Sequence, residues 1–179
     1  WRKYLAQPGY ARRAGILFES ETVQMDIYDG EAKIVGTYWV YNTQEVDASF
    51  GMAYPILTDD NHPAPSSVKV DDAIYSVSQE PGGTAMARFP LKVPARTLYK
   101  FTVLYRQEFK DNSAVYMVTS ARKWAAPLKS ARFIITHEAD LGEVHFSYPV
   151  TSRINMGNRV QNHITIQPFA PNKEIIVRW

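Results

Sequence analysis

From Thr22 onward the apolar residues of this chain recur mainly at every second position, and no segment holds a helical spacing with a cap at either end. That alternation admits few folds, because successive side chains of a strand leave on opposite faces. In RTLYKFTVLYRQEF, Tyr99, Phe101, Val103 and Tyr105 share one face, and Lys100, Thr102 and Arg106 lie on the other. Upstream, Val23, Met25 and Ile27 alternate with Gln24 and Asp26, and Asp29-Gly30 then supplies a tight hairpin turn into EAKIVGTYWVYN. There Ile34, Tyr38 and Val40 fall on one face and Val35, Trp39 and Tyr41 on the other, so neither face is wholly polar and the strand is expected to be central.

Further short alternating segments follow, punctuated by Pro, Gly, Asn and Asp. DASFGMAYPIL is expected to end or lie at an edge at Pro55, since proline cannot donate to a ladder. SVKVDDAIYSVS is open to a break at Asp71 and Asp72, and Gly82-Gly83 reads as a turn. About eleven strands at short, regular spacing predict an all-β fold, an immunoglobulin-like or related antiparallel β-sandwich. Aromatic residues make up 13% of the chain, which fits the half-buried surface of a pleated sheet. With 179 residues one domain is expected, 16–179, preceded by an arm, 1–15, whose Pro8, Gly9 and Gly15 interrupt any period.

The stretch from Tyr116 to Glu138 joins two strands across a break at Trp124 and Pro127. Its indole is expected to be buried beneath that break with the ring N–H bonded to backbone.

Composition excludes several chemistries. There is no cysteine, hence no disulfide, thiolate zinc site or thiol nucleophile. The 20 basic residues are scattered among 18 acidic ones, so no basic stripe predicts a nucleic-acid partner. No apolar run approaches the ~18 residues of a helical membrane span. The first residue is Trp1, which is expected of a mature or trimmed form. No serine sits in a Gly-x-Ser-x-Gly elbow and no glycine-rich phosphate loop is present.

Two loops carry ligand-type residues. Asp59, Asp60, Asn61 and His62 lack the glycine turn and closing glutamate of a calcium loop and read as a solvated turn. His137 and His145 stand eight apart with Glu138, Asp140 and Glu143 between them, not four apart on a helix, and read as a structural turn. The expectation is therefore no catalytic residue, no metal site and no cofactor. Trp39 and Tyr41, beside Tyr38, are the candidate ligand-binding residues, as a stacking platform for sugar rings if exposed and as core if not.

The runs SETVQMDIYDGEAKIVGTYWVYN, AYPIL, ARFPLKVPARTLYKFTVLYRQEF and YMVTSARKWAAPLKSARFIITHE resemble uncharacterised bacterial families of extracytoplasmic β-sandwich proteins. The matching positions include Asp29, Gly30, Asn42, Pro55, Phe89, Pro90, Tyr105, Tyr116, Thr119, Trp124, Pro127 and Ala131. The chain is also faintly similar to the β-rich domain that precedes von Willebrand type A domains. The resemblance implies export to the periplasm, cell surface or medium, and a non-enzymatic sandwich that binds a protein or an envelope component. A carbohydrate-binding module using exposed aromatics is the alternative, and a hydrolase or metal enzyme built on the His62 or His137 loops is the third reading.

Overall fold

A computed structural model describes residues 15–124 and 126–179; apart from Gly15, the arm expected at 1–15 lies outside the described residues. Among the described residues thirteen strands are formed: β1 (Ile16–Ile27), β2 (Glu31–Asn42), β3 (Ala48–Leu57), β4 (Ser67–Val70), β5 (Ala73–Glu80), β6 (Thr84–Val93), β7 (Leu98–Glu108), β8 (Ser113–Tyr116), β9 (Ser130–Glu138), β10 (His145–Phe146), β11 (Ser152–Met156), β12 (Arg159–Ile166) and β13 (Ile175–Arg178). The excess over eleven has two local causes. Asp71 takes φ 48° and turns SVKVDDAIYSVS into the β4–β5 hairpin. SRINM pairs with β12 across the Gly157 turn with its side chains all exposed, and its alternation is only two apolar residues long, Ile154 and Met156.

Ten strands form one sheet in the order β11-β12-β9-β1-β2-β7-β4-β5-β6-β3, and three form a second in the order β10-β13-β8. Every pairing is antiparallel except β1 with β9, which run parallel from Ser20 opposite Ser130 to Asp26 opposite Thr136. β2 lies between β1 and β7, central as its two apolar faces imply. The turn into it differs in one detail from a turn with two left-handed positions: Gly30 alone has positive φ, at 73°.

The ten-stranded sheet folds over on itself. Its β3–β6 end packs on the inner face of β2 and β7, where Phe89 meets Phe101 with centroids 6.1 Å apart and Tyr54 meets Tyr38 at 5.8 Å. The small sheet closes the other end of the same face through Tyr116 on Phe133, at 6.4 Å. Val23, Met25, Ile27, Ile34, Phe133, Ile135 and Ile164 fill the space between, each almost wholly buried. The result is an all-β sandwich of two layers. The second layer is made of two sheets that do not hydrogen-bond to each other: β3 is the last strand of one and β8 the last of the other. The Pro55 expectation holds in this form, because β3 is an edge strand that continues through the proline to Leu57.

Candidate functional site

The seam between the β3 and β8 edges holds a cavity of about 350 Å³. Its floor is the inner face of β1, β2 and β7, its walls are β3 and β8, and its mouth is the 3₁₀ turn Thr119–Lys123 followed by Trp124. That turn is pinned from the chain just before β13. Glu174 Oε2 accepts from the backbone N–H groups of Val118 at 2.7 Å and Thr119 at 3.0 Å, Glu174 Oε1 accepts from the Thr119 hydroxyl, and Arg122 donates to the Pro171 carbonyl.

One carboxylic acid lies on the floor. In β1 the register passes from Phe18 opposite Val40 to Ser20 opposite Trp39, so Glu19 is an extra residue in the ladder. A bulge of this kind reverses the alternation. Ile16 and Phe18 before it, and Glu21, Val23, Met25 and Ile27 after it, therefore all face inward. Glu21 is 4% exposed, sits opposite Tyr38 on β2 and Ala131 on β9, and its Oε1 meets no hydrogen-bond donor among the described residues. Burial pushes its carboxyl up to about 8, so at neutral pH it is mostly protonated.

Beside it runs a chain of tyrosine hydroxyls. Tyr38 Oη lies 2.7 Å from Tyr54 Oη and 2.7 Å from Tyr116 Oη, which ties the floor to both edges of the seam. Burial drives the phenols of Tyr38, Tyr54, Tyr105 and Tyr116 well above their usual range, and they remain neutral. The Tyr38 ring bends back along its own strand, which only a glycine two residues earlier permits: a Cβ on Gly36 would stand 1.9 Å from the Tyr38 hydroxyl. Phe101 stacks on the same ring at 5.1 Å, and Phe18, Phe50, Met52, Met86 and Met117 complete an apolar lining. Glu80, Arg88 and Lys123 also line the cavity. Arg88 is held by Glu80 at 2.8 Å and by Ser78 at 3.1 Å, and among the described residues no cation comes within ion-pairing distance of Glu21.

The residues singled out from sequence lie elsewhere. Trp39 and Tyr41 are half-buried on the opposite face of β2, outside the cavity, next to the exposed Leu17 and Leu98 that pair with Tyr41 from either side. Neither is core, and they do share a face. Trp124 is half-buried instead of sealed, with its ring 5.4 Å from Phe18 at the cavity mouth. Its backbone N–H donates to Ala121 at 3.1 Å. A loop that opens onto a seam leaves one side of the indole uncovered, which is why it is not beneath the break.

The two loops with ligand-type residues are built differently from each other. His62 is buried, with Nδ1 2.9 Å from Asp59 Oδ1 and Nε2 3.0 Å from the Ser113 carbonyl, so it anchors a loop whose Asp59, Asp60 and Asn61 are exposed. The turn there is solvated except at its histidine. His137 is buried with Nδ1 2.7 Å from the Glu138 carbonyl, whereas His145 is exposed with Glu143 3.8 Å away. Among the described residues no group of three His, Asp or Glu side chains is placed to hold a metal ion.

Glu21 was legible in one respect. It stands two residues before Val23 and four before Met25, on the apolar parity of a clear strand, and a carboxylic acid at an apolar position is the signal to look for. The partnership of Tyr38, Tyr54 and Tyr116 has no sequence signal, because it joins three strands.

No protein-family model and no curated protein matches the sequence. Solved structures do match in shape. A protein of Legionella pneumophila described as a "putative nutrient binding protein" superposes with a TM-score of 0.67 over 96% of this chain and 70% of its own, at 12% identity. An M1 zinc metallopeptidase variant of Deinococcus radiodurans, bound to a Tyr-Ser-Ala substrate, superposes with a TM-score of 0.51 over 94% of this chain at 8% identity. This chain spans 43% of that peptidase's length. At such identities the likeness is one of fold: this chain shares its all-β architecture with a protein named for nutrient binding and with part of a peptidase.

Proposed function

We propose that this is a non-enzymatic binding domain that holds a small, largely apolar ligand in the seam cavity. The observation that carries the reading is the cavity itself: about 350 Å³, walled by aromatic and methionine side chains, with a few polar groups converging on its floor. That is the lower end of the size range of small-molecule sites and has their usual lining. An apolar space this large between two layers forfeits packing that side chains could have filled. The Legionella protein, whose name speaks of binding nutrients, shares the fold and is consistent with a binding role. Export and contact with a protein or envelope component, implied by the sequence resemblance, belong to the same proposal, and the seam ligand would be part of that role.

The test is calorimetric titration of the whole chain with indole, a small apolar probe. Saturable one-to-one binding is expected, weakened by Ala121→Leu, which narrows the mouth at a buried lining position. Absence of saturable binding would remove the cavity from the account.

A second reading rests on the outer face of β2, where Trp39 and Tyr41 are half-buried side by side with exposed Leu17 and Leu98. It is the carbohydrate platform, which binds through ring faces. A glycan array that stays blank, or binding unchanged by Trp39→Ala, retires it.

A further inference from the structure

Resting on the cavity reading, we infer that the ligand is an organic ammonium ion: a cationic amine head set against Glu21, with an apolar body lying among the aromatic walls. Three features of the site converge on this chemistry. The first is the carboxyl group, 4% exposed with Oε1 unpartnered among the described residues, on the cavity floor. A buried polar atom without a partner is costly, and a ligand that donates to it removes the cost.

The second is the aromatic enclosure. Phe18, Tyr38, Tyr54, Phe101, Tyr116 and Trp124 all line the same space, and aromatic faces attract cations. The third is the hydroxyl arrangement. Tyr38 shares its hydroxyl between Tyr54 and Tyr116, and none of these three hydroxyls is within hydrogen-bonding distance of Glu21. Those two bonds use two of the three O–H protons, and the third is not placed to donate to Glu21 Oε1, so that oxygen is left for whatever enters.

Other ligand classes fit less well. An anion would face a carboxyl group and negative ring faces. A purely apolar molecule would leave Oε1 as it is. A neutral alcohol supplies a donor but gains nothing from the ring quadrupoles. Charged groups on neighbouring elements do not pre-empt the cation, because Arg88 is engaged by Glu80, and Lys123 stands exposed at the mouth outside ion-pairing distance. The titratable groups that face Glu21 across the site are the phenols of Tyr38, Tyr54 and Tyr116, all neutral through pH 9.

Proton balance gives the inference a signature. With the empty-site carboxyl near 8, binding of an ammonium ion at neutral pH expels the Glu21 proton to solvent while the ligand keeps its own. Affinity then rises about tenfold per pH unit up to about 8 and levels off above it.

The experiment compares phenethylamine with phenethyl alcohol, which differ only in the head group, by calorimetry in buffers of different ionisation enthalpy. The expected result is tighter binding of the amine with close to one proton released per ligand at pH 7, and no proton release with the alcohol. In Glu21→Gln the amine is expected to weaken at least about tenfold and to lose its pH dependence, while the alcohol is unchanged. If both probes bind equally and without proton release, the ammonium inference fails and the cavity reading stands. If neither binds, both fail. Proton release is read on the unaltered protein, so the outcome does not depend on the folding of the variant.

Discussion

Replacing Glu21 with Gln should flatten the pH dependence of folding stability in the ligand-free protein. An acid near 8 when folded and at 4.5 when unfolded binds more protons in the folded state between those values. The sign follows: its contribution to stability is fully present below 4.5 and is lost as pH rises through 8. Linkage with these two values gives a loss of roughly 2 to 3 kcal/mol between pH 5 and pH 7 and roughly 4 kcal/mol between pH 5 and pH 9. The lower interval is the robust one, because there the folded form stays largely protonated and the slope is set by the unfolded chain. Glutamine has nearly the same shape and no charge to titrate, so every other group contributes the same background to both proteins. Urea unfolding at several pH values, plotted as the difference between wild type and variant, isolates Glu21. Parallel curves from pH 5 to pH 7 would refute the burial argument, since they would mean that the carboxyl ionises as if in water.

Tyr38→Phe removes the hydroxyl shared by Tyr54 and Tyr116 and should cost ~1 to 3 kcal/mol in the same urea assay, the penalty of stranding buried polar groups; a neutral result would mean that water substitutes for it. Trp124→Ala should cost only ~1 to 2 kcal/mol because the indole is half-buried, against ~3 to 5 for Phe133→Ala at the core, so similar losses for the two would contradict the position of Trp124 at a mouth.

The strands could be read from the sequence wherever a layer has one wet face. The alternation of Tyr99, Phe101, Val103 and Tyr105 is the pattern of β7, and the two apolar faces of Glu31–Asn42 do mark a strand flanked on both sides. Reading fails where that physics is absent. Ser152–Met156 is an edge strand exposed on both faces, and its alternation, Ile154 and Met156 between polar neighbours, is too short to set it apart from a loop. The parallel pairing of β1 with β9 brings together segments more than a hundred residues apart, and local pattern carries no information about which strands become neighbours. The seam arises from that same non-local arrangement, so the cavity could not be foreseen. Trp39 drew notice because a tryptophan is conspicuous, whereas Glu21 did not, because a carboxylic acid next to a turn-like Ser20 looks like the start of a strand and not its interior.

The bulge at Glu19 decides what Glu21 can do. Without the extra residue, a strand with Ile16 and Phe18 facing inward would send Glu21 to solvent, where a carboxylate costs nothing. With it, Phe18 and Glu21 share the inner face, and the aromatic ring and the acid come to line one space. The bulge is fastened from outside by Lys129, whose ammonium pairs with the Glu19 carboxylate and whose backbone N–H donates to the Glu19 carbonyl at 2.8 Å. That fastening joins the inner strand β1 to the chain entering β9, the element that follows the mouth at Trp124. The cavity thus borrows its aromatic walls, Tyr38, Tyr54, Phe101 and Tyr116, from the core itself, whereas the unpartnered carboxyl and the Glu174 bonds at the mouth are additions to it. Packing alone would favour leucine at position 21, and the geometry around the acid accounts for its presence by the partner it lacks.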